Sequence, residues 1–387
     1  MWLIGSLFCL AAIVGGVYSL TAAILVARAS GPMLSKYTAK GALEARGAGG
    51  VSLVKPLHGA PEGLYETLRS FCEQDFTSEV QIVFGVQSAE DPAIDVVRRL
   101  QSAYPGHAID LVIAPMLLGA NRKVSNLIHC AAKAKHPVLI LSDADIRVER
   151  DYIATVRDAL AAPGVGAVTC HYIGEARGGL WARLSAMAVT YNFLPNAVLG
   201  KAIGMAKPCF GSTIALTRQT LTRIGGFESV VDQLADDYQI GARVRALGLA
   251  IAIPRRPVTH LCDEAGLTAL IAHEIRGART IRLLDPAGYL GSVITHPFAL
   301  SLVGAALLGF SRPAVGLVAA ILLLRIAAKT CIDAATDARA GALWLIPARD
   351  VLSFVVFLAS FAGRTVDWQG RRYRVGRDGA LLPLQGS

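Results

Sequence analysis

The segment His136–Asp145 reads H-P-V-L-I-L-S-D-A-D, an apolar run that ends on two aspartates one residue apart. Val138–Leu141 has the branched aliphatic character of a strand buried on both faces. Asp143 and Asp145 then stand at its carboxyl end, the edge where open α/β sheets bind ligands. Carboxylates at i and i+2 can converge on a hard divalent cation whose other ligands are waters and phosphate oxygens. The competing reading is a turn at Asp143 and a helix cap at Asp145. Asp91, in Q-S-A-E-D-P-A-I, follows another strand-like run; it can accept hydrogen bonds from a base or ribose, or cap the helix that Pro92 opens. Asn121–Asn126 (N-R-K-V-S-N) opens a helix whose N-terminus, with Arg122 and Lys123, suits a diphosphate, as it also suits a solvated basic turn. Asp236 and Asp237 are adjacent in L-A-D-D-Y-Q-I-G-A-R-V-R, at the start of an amphipathic helix. One of them, raised in pKa, could deprotonate a hydroxyl; two ordinary first-turn acids would instead complement the helix dipole. In His273–Arg279, Arg276 and Arg279 are i, i+3 neighbours on one face, able to meet a pyrophosphate or lipid headgroups.

The elements that must carry these residues alternate in type. Strand-like runs at Val51–Leu57, Val80–Val86, Ile109–Ala114, Val138–Leu141 and Val165–Tyr172 are interleaved with helical patterns at Pro61–Cys72, Pro92–Tyr104, Arg122–Ala134 and about Arg150 to Leu160. That order predicts one α/β domain with a largely parallel sheet. Beyond Leu180 the pattern is less regular, with Phe210–Thr217 as a further expected strand.

Composition adds a membrane. The 387 residues are 53% hydrophobic and 17% charged, against about 25% charged in soluble domains. Trp2–Val26 is apolar throughout and long enough to span a bilayer, about 20 residues being needed. Arg28, Lys36, Lys40 and Arg46 follow it and place the next segment in the cytoplasm; the run is too long, and too bare of preceding charge, for a cleaved signal. Val293–Phe310 and Ala314–Ala328 read as a transmembrane hairpin about an S-R-P break, with Arg325 needing a protein partner at depth. Ala342–Gly363, interrupted by Pro347, Arg349 and Asp350, reads as interfacial or re-entrant. The expected organisation is therefore a membrane helix over 1–28, a juxtamembrane linker over 29–50, the α/β domain over 51–285, a membrane region over 286–364 and a basic cytoplasmic tail over 365–387. A net charge of +9, much of it arginine beside apolar segments, suits anionic headgroups. No basic patch interleaved with aromatics and no zinc-finger spacing points to nucleic acid. Seven scattered cysteines without C-x-x-C read as buried thiols; the oligomeric state is not legible.

Taken together and in order, these pieces resemble the inverting glycosyltransferases with the D, D-x-D, D, (Q/R)-x-x-R-W signature, and within them the ceramide glucosyltransferase family. The resemblance covers roughly 51–297: K-P-L-x-G at Lys55–Gly59, F-G-V-Q-x-x-x-D-P-A-I at Phe84–Ile94, N-x-K-V-x-N-L at Asn121–Leu127, S-D-A-D-I at Ser142–Ile146, G-G-F at Gly225–Phe227 and A-D-D-Y at Ala235–Tyr238. H-E-I-R-G-A-R-T-I-R-x-x-D-P-A-G-Y at His273–Tyr289 is closest to the bacterial hopanoid-biosynthesis branch. The resemblance implies a GT-A fold, a UDP-sugar donor held by Lys55, Asp91, Lys123 and Asp143, and Mg²⁺ or Mn²⁺ on Asp145. It further implies Asp237, beside Asp236, as the general base, and His273 and Arg276 in the (Q/R)-x-x-R positions. His273 departs from Gln/Arg, and Gly277 stands where the signature has tryptophan. The implied reaction moves a sugar from UDP, as N-acetylglucosamine, to a lipid hydroxyl such as that of bacteriohopanetetrol, on the cytoplasmic face of a bacterial inner membrane. The alternatives are a ceramide glucosyltransferase using UDP-glucose and an inactive membrane scaffold.

Overall fold

The computed structural model describes residues 1–30, 49–368, 371–376 and 379–383. The linker expected over 29–50 therefore lies largely outside the described residues. A seven-stranded sheet forms the centre of the chain, in the order β3-β2-β1-β4-β8-β6-β9. Its strands are β1 (Val51–Pro56), β2 (Val80–Val86), β3 (Ala108–Ile113), β4 (Val138–Leu141), β6 (Val165–Thr169), β8 (Ile214–Thr217) and β9 (Ala250–Ala252). All pairs are parallel except those that β8 makes with β4 and β6.

The alternation of side chains along a strand divides the core into two. Val51, Leu53, Ile82, Phe84, Val138 and Ile140 face one layer of helices. Val54, Val83, Leu139 and Leu141 face the other, where the Arg122–Lys133 and Asp236–Ala246 helices pack. Every residue of β4 is buried, as a central parallel strand requires.

Two expected strands change shape. Val165–Tyr172 is not continuous: it breaks after Thr169, and Tyr172 begins β7 (Tyr172–Ala176), which joins β5 (Ile146–Arg147) and β10 (Val258–Cys262) in a second sheet. The hydroxyl of Thr169 is the reason, because it exchanges hydrogen bonds with the Phe210 backbone and closes the ladder there. Phe210–Thr217 likewise starts as a turn, with Phe210 bridged to Thr213, before β8 proper.

Among the described residues, Trp2–Ala29, Arg312–Thr336 and Leu343–Ser360 are long and apolar enough to cross a membrane. A fourth candidate, Pro286–Thr295 with Pro297–Leu307, bends by 71° where Pro297 interrupts the backbone. The expected hairpin thus has a bent first arm and a longer second one. Arg325 does face protein: its guanidinium donates to both oxygens of Asp350, at 2.8 and 2.9 Å.

The start of the Leu343–Ser360 helix lies against the α/β domain, and its far end against the bent pair. Ile346 packs with Leu184, Met187 and Cys262, while Phe357 stacks on Tyr289 of the bent pair and Phe361, just past the helix, tilts against the same ring. The chain beyond it is not a free tail. β11 (Thr365–Trp368), β12 (Arg371–Val375) and β13 (Leu381–Pro383) form an antiparallel sheet that clasps the loop before Asp236: Leu234 N–H donates to Gly379 O, and Leu381 N–H to Asp232 O.

Candidate active site

Four of the predicted acids meet at the carboxyl edge of the sheet. The turn after β4 carries Asp143 and Asp145. Beneath it, Lys55 of β1 is completely buried, and its ammonium donates to Asp143 O (2.8 Å) and Ser142 Oγ (3.2 Å) above the Phe71 ring. Burial pulls Lys55 down to about 7 against the attraction of Asp143 and Asp145. Lys55 was expected on the donor; its ammonium is spent on the Asp143 turn instead, and so it acts on the cleft through that backbone.

Lys123 sits at the helix start where Asn121 caps the backbone of Val124. Its ammonium lies 2.7 Å from Asp143 Oδ1 and 3.4 Å from Asp236 Oδ2. Burial opposes its charge, but Asp143, Asp236 and Asp237 outweigh burial and hold it above its ordinary range. One cation thus ties the strand-end acids to the acids of the Asp236–Ala246 helix.

Gly211 closes the other side. Its carbonyl accepts from Asp143 N–H at 3.2 Å, and its N–H donates to Asp237 Oδ2 at 3.0 Å. A Cβ there would lie 2.6 Å from Asp143 Oδ2 and 3.0 Å from Lys123 Nζ, so any larger residue would have to push these two charged side-chain ends aside. Asp237, half-buried, is pushed up to about 6 by burial and by the like charge of Asp236, against the pull of Lys123. A carboxylate poised there is suited to take a proton near neutral pH.

Asp145 pairs with a residue that sequence reasoning missed. His260, on β10, places Nε2 3.2 Å from Asp145 Oδ2. Burial works against both charges; even so, His260 brings Asp145 down to about 2, and Asp145 raises His260 well above its usual value. In sequence His260 is a lone histidine on an apolar strand, 115 positions from its partner, with no local signal. Only the antiparallel pairing of β10 with β5 (His260 opposite Ile146) brings the two together.

The remaining predicted residues divide. Asp91 does not join this cluster. Its carboxylate accepts from Gly59 N–H (3.0 and 3.2 Å) and Ala93 N–H (2.9 Å), which fixes the Leu57–Gly59 loop to the next helix start. His273 Nδ1 lies 2.7 Å from Glu264 Oε1, which also accepts from Ser185 Oγ. Arg276, half-buried, makes no side-chain hydrogen bond or ion pair among the described residues. Burial lowers its pKa, and Asp145 is the charge that opposes that shift. Gly277 is exposed, and a Cβ there would meet nothing within 4 Å.

Three half-exposed rings line the cleft beside His260. Tyr172 is 5.7 Å from His260 and stacks on Phe193 at 4.5 Å, and Phe193 meets Phe210 at 5.2 Å. Among the described residues no three His, Cys, Asp or Glu side chains form a closed metal cage. Asp145 and His260 are ion-paired as they stand; a divalent cation would take the place of the proton they share and leave a carboxylate and a neutral imidazole as its ligands. That donor set fits Mn²⁺ or Mg²⁺ when a diphosphate and water complete the shell.

Residues 7–381 match the family described as glycosyl transferase family 21. The chain belongs to that family. Family 21 membership accounts for the kinship with ceramide glucosyltransferases expected from the motifs. Ceramide glucosyltransferase 1 of Caenorhabditis elegans is 27% identical over 222 residues, covering 57% of this chain and 47% of that protein. Ceramide glucosyltransferase 3 of the same organism is 23% identical over 349 residues, covering 86% and 74%. This family 21 chain thus spans about half the length of the first relative and three-quarters of the second. A solved mannosyltransferase from Pyrobaculum calidifontis, in complex with GDP-Man and Mn²⁺, superposes over 92% of this chain and 97% of its own, with a TM-score of 0.50 and 21% identity. The fold is the expected GT-A fold.

Proposed function

We propose that this chain is a membrane-bound inverting glycosyltransferase that moves a sugar from a UDP-sugar to a lipid alcohol. The observation that carries the reading is the Asp145–His260 pair, whose carboxylate acts on the unpaired Arg276, at the same sheet edge as the Gly211–Asp237 strap. Asp145 and His260 would hold a divalent cation, which when bound would supply positive charge to the diphosphate. Arg276 adds a cation without a protein partner, suited to the charge that develops on the leaving phosphate. Lys123, neutralised by Asp143 and Asp236, positions those acids.

On the opposite side, Asp237 takes the proton of the lipid hydroxyl as its oxygen bonds to the anomeric carbon. The bond from that carbon to the diphosphate breaks, and UDP departs with the electron pair. One displacement inverts the configuration and gives a β-linked product. Asp91 shapes the loop beside the base-binding edge of β1 and β2. Asp236 keeps Asp237 basic enough to act near pH 7.

The first helix, the bent pair and Arg312–Thr336 would cross the membrane, and Leu343–Ser360 would lie along its catalytic side, because its start docks on the α/β domain at Leu184, Met187 and Cys262. The apolar segments, and in the sequence the basic residues that follow the first helix, support a cleft at the cytoplasmic face of the membrane. The His273–Tyr289 motif supports a hopanoid acceptor with UDP-N-acetylglucosamine as donor, in a bacterial inner membrane. The similarity to proteins named ceramide glucosyltransferases supports the second reading, ceramide with UDP-glucose. An inactive scaffold would have no physical use for an Arg276 left without a protein partner near the charge of Asp145.

Membranes containing the full chain, given a panel of labelled UDP-sugars with hopanoid and ceramide acceptors, are expected to form one glycolipid detectable by mass spectrometry. The same membranes carrying Asp237→Ala should form none. Equal product from the variant would refute the assignment.

A further inference from the structure

Between Lys201 and Lys207 the sequence reads A-I-G-M-A, with no polar side chain. Ile203 is 54% exposed and Met205 70%, and the two lysines are exposed on either side of them. This segment is a built turn. It ends the Leu194–Ala202 helix, with Ala206 N–H donating to Gly200 O at 2.9 Å and Gly204 N–H to Lys201 O at 3.1 Å. Gly204 takes a φ of +77°, a left-handed conformation that glycine adopts without strain and that commonly closes a helix. The two apolar side chains are therefore held out from the protein by backbone hydrogen bonds.

The turn lies beside a membrane helix. The Leu194–Ala202 helix packs on the first helix. Leu194 and Val198 join Ala23 and Val26 in one apolar cluster, and Pro195 and Asn196 line a narrow gap with Tyr18, Ser19 and Ala22. The first helix has 28 residues, about 42 Å of length, which matches the hydrocarbon core together with both headgroup regions. Tyr18–Val26 belongs to its last part, toward the α/β domain, and so to the near leaflet and its headgroups.

The turn also borders the cleft. Burial, helped by the charge of Lys201, pulls His171 down to about 4, so Lys201 stands near that ring. His171 is 6.0 Å from Phe210. Phe210 in turn meets Phe193 and Tyr172, the rings beside His260.

A single exposed apolar residue is ordinary. An apolar tip flanked by two lysines has the chemistry of a lipid interface, where the tip enters the acyl region and each ammonium reaches a headgroup phosphate. A protein partner would need acids to meet both lysines and would have to displace the lipid that the first helix brings to this place.

We propose that the Lys201–Lys207 turn dips into the near lipid leaflet and forms the bilayer-side rim of the cleft. Ile203 and Met205 lie among acyl chains, Lys201 and Lys207 at the phosphates, and a lipid alcohol passes from the leaflet along Phe210 toward Asp237. The rim role rests on the lipid-acceptor reading above; the insertion itself does not.

The test uses the full chain in nanodiscs of phosphatidylcholine and phosphatidylglycerol. In Met205→Trp, the emission added by the new indole is measured with brominated phosphatidylcholine in the disc and, separately, with acrylamide in the water. Brominated lipid should quench most of it, and acrylamide little. An indole open to acrylamide would leave the turn in water. One shielded from both quenchers would place protein on it. Either result would overturn the proposal. In Ile203→Asp/Met205→Asp the turn should leave the leaflet. KM for the acceptor, bacteriohopanetetrol or ceramide, should then rise about tenfold, with kcat, donor KM and UDP affinity unchanged. An unchanged acceptor KM would overturn the rim role. Quenching by lipid, but without sugar transfer from any donor to either acceptor, would sink the glycosyltransferase reading and the rim with it, and leave the insertion standing.

Discussion

Replacing Asp237 by Asn separates catalysis from stability, and the two effects have opposite signs. Burial, joined by Asp236 and opposed by Lys123, lifts Asp237 from an ordinary 3.8 to about 6. A shift of that size corresponds to roughly 3 kcal/mol between the two protonation states. Because the folded value lies above the unfolded one, the associated stability is complete below pH 3.8 and is lost as pH rises through about 6. At pH 7.5 the wild type carries the unfavourable charge, and Asp237→Asn removes it. The variant should therefore be more stable by up to about 3 kcal/mol, and the difference should close as pH falls toward 4. Activity moves the other way. Asn cannot accept the proton, so kcat/KM should fall by about 10²–10⁴.

The wild-type profile follows from the same number. About nine-tenths of Asp237 is ionised at pH 7 and about one-tenth at pH 5, so kcat/KM should drop roughly tenfold between them. Asp236→Asn removes a cause that raises Asp237 and should move this acid limb to lower pH. The assays are initial rates of lipid glycosylation in nanodiscs from pH 4.5 to 8.5, and thermal unfolding of both proteins over the same range. A flat profile down to pH 5, or an Asn variant less stable than wild type at pH 7.5, would refute the reasoning.

Gly211→Ala places a methyl 2.6 Å from Asp143 Oδ2; displacing that carboxylate by even part of an ångström should lower kcat/KM about a hundredfold while the unfolding temperature stays near wild type. Arg325→Met leaves Asp350 charged and buried, a loss of about 3–5 kcal/mol visible as a lower unfolding temperature, which Arg325→Met/Asp350→Leu should largely restore. Gly277→Trp enters open space, so the fold should tolerate it; acceptor turnover should rise, and no rise would mark the position as spare.

Much of the cleft was readable because its residues sit where local rules put them. The buried β4 run announced its own carboxyl edge, and so Asp143 and Asp145. Asn121 signalled a helix start and hence the height of Lys123. What escaped depends on contacts across long sequence intervals. His260 meets Asp145 only through the β10–β5 pairing, and Gly211 shows its purpose only once Asp143 and Asp237 flank it. Tyr172 was read into the preceding strand because the Thr169 hydroxyl that ends that strand acts through the distant Phe210 backbone. Asp91 and Lys55 are expected on the donor, yet Asp91 caps the next helix start and Lys55 holds the Asp143 turn; a carboxylate that caps a helix and one that touches a ligand have the same sequence. The basic segment after Arg364 looked solvated because its partners, Ala120, Leu234 and Leu283, lie in three separate elements.

The central claim is that Asp145 and His260 present a divalent cation to the diphosphate of a nucleotide within one cleft. Calorimetric titration of UDP into the purified full chain, with Mn²⁺ and then in chelator, tests it directly. UDP should bind with Mn²⁺ present and lose at least tenfold in affinity in chelator, and both Asp145→Ala and His260→Ala should reproduce that loss with Mn²⁺ present. Equal affinity with and without the metal, or in either variant, would contradict the account.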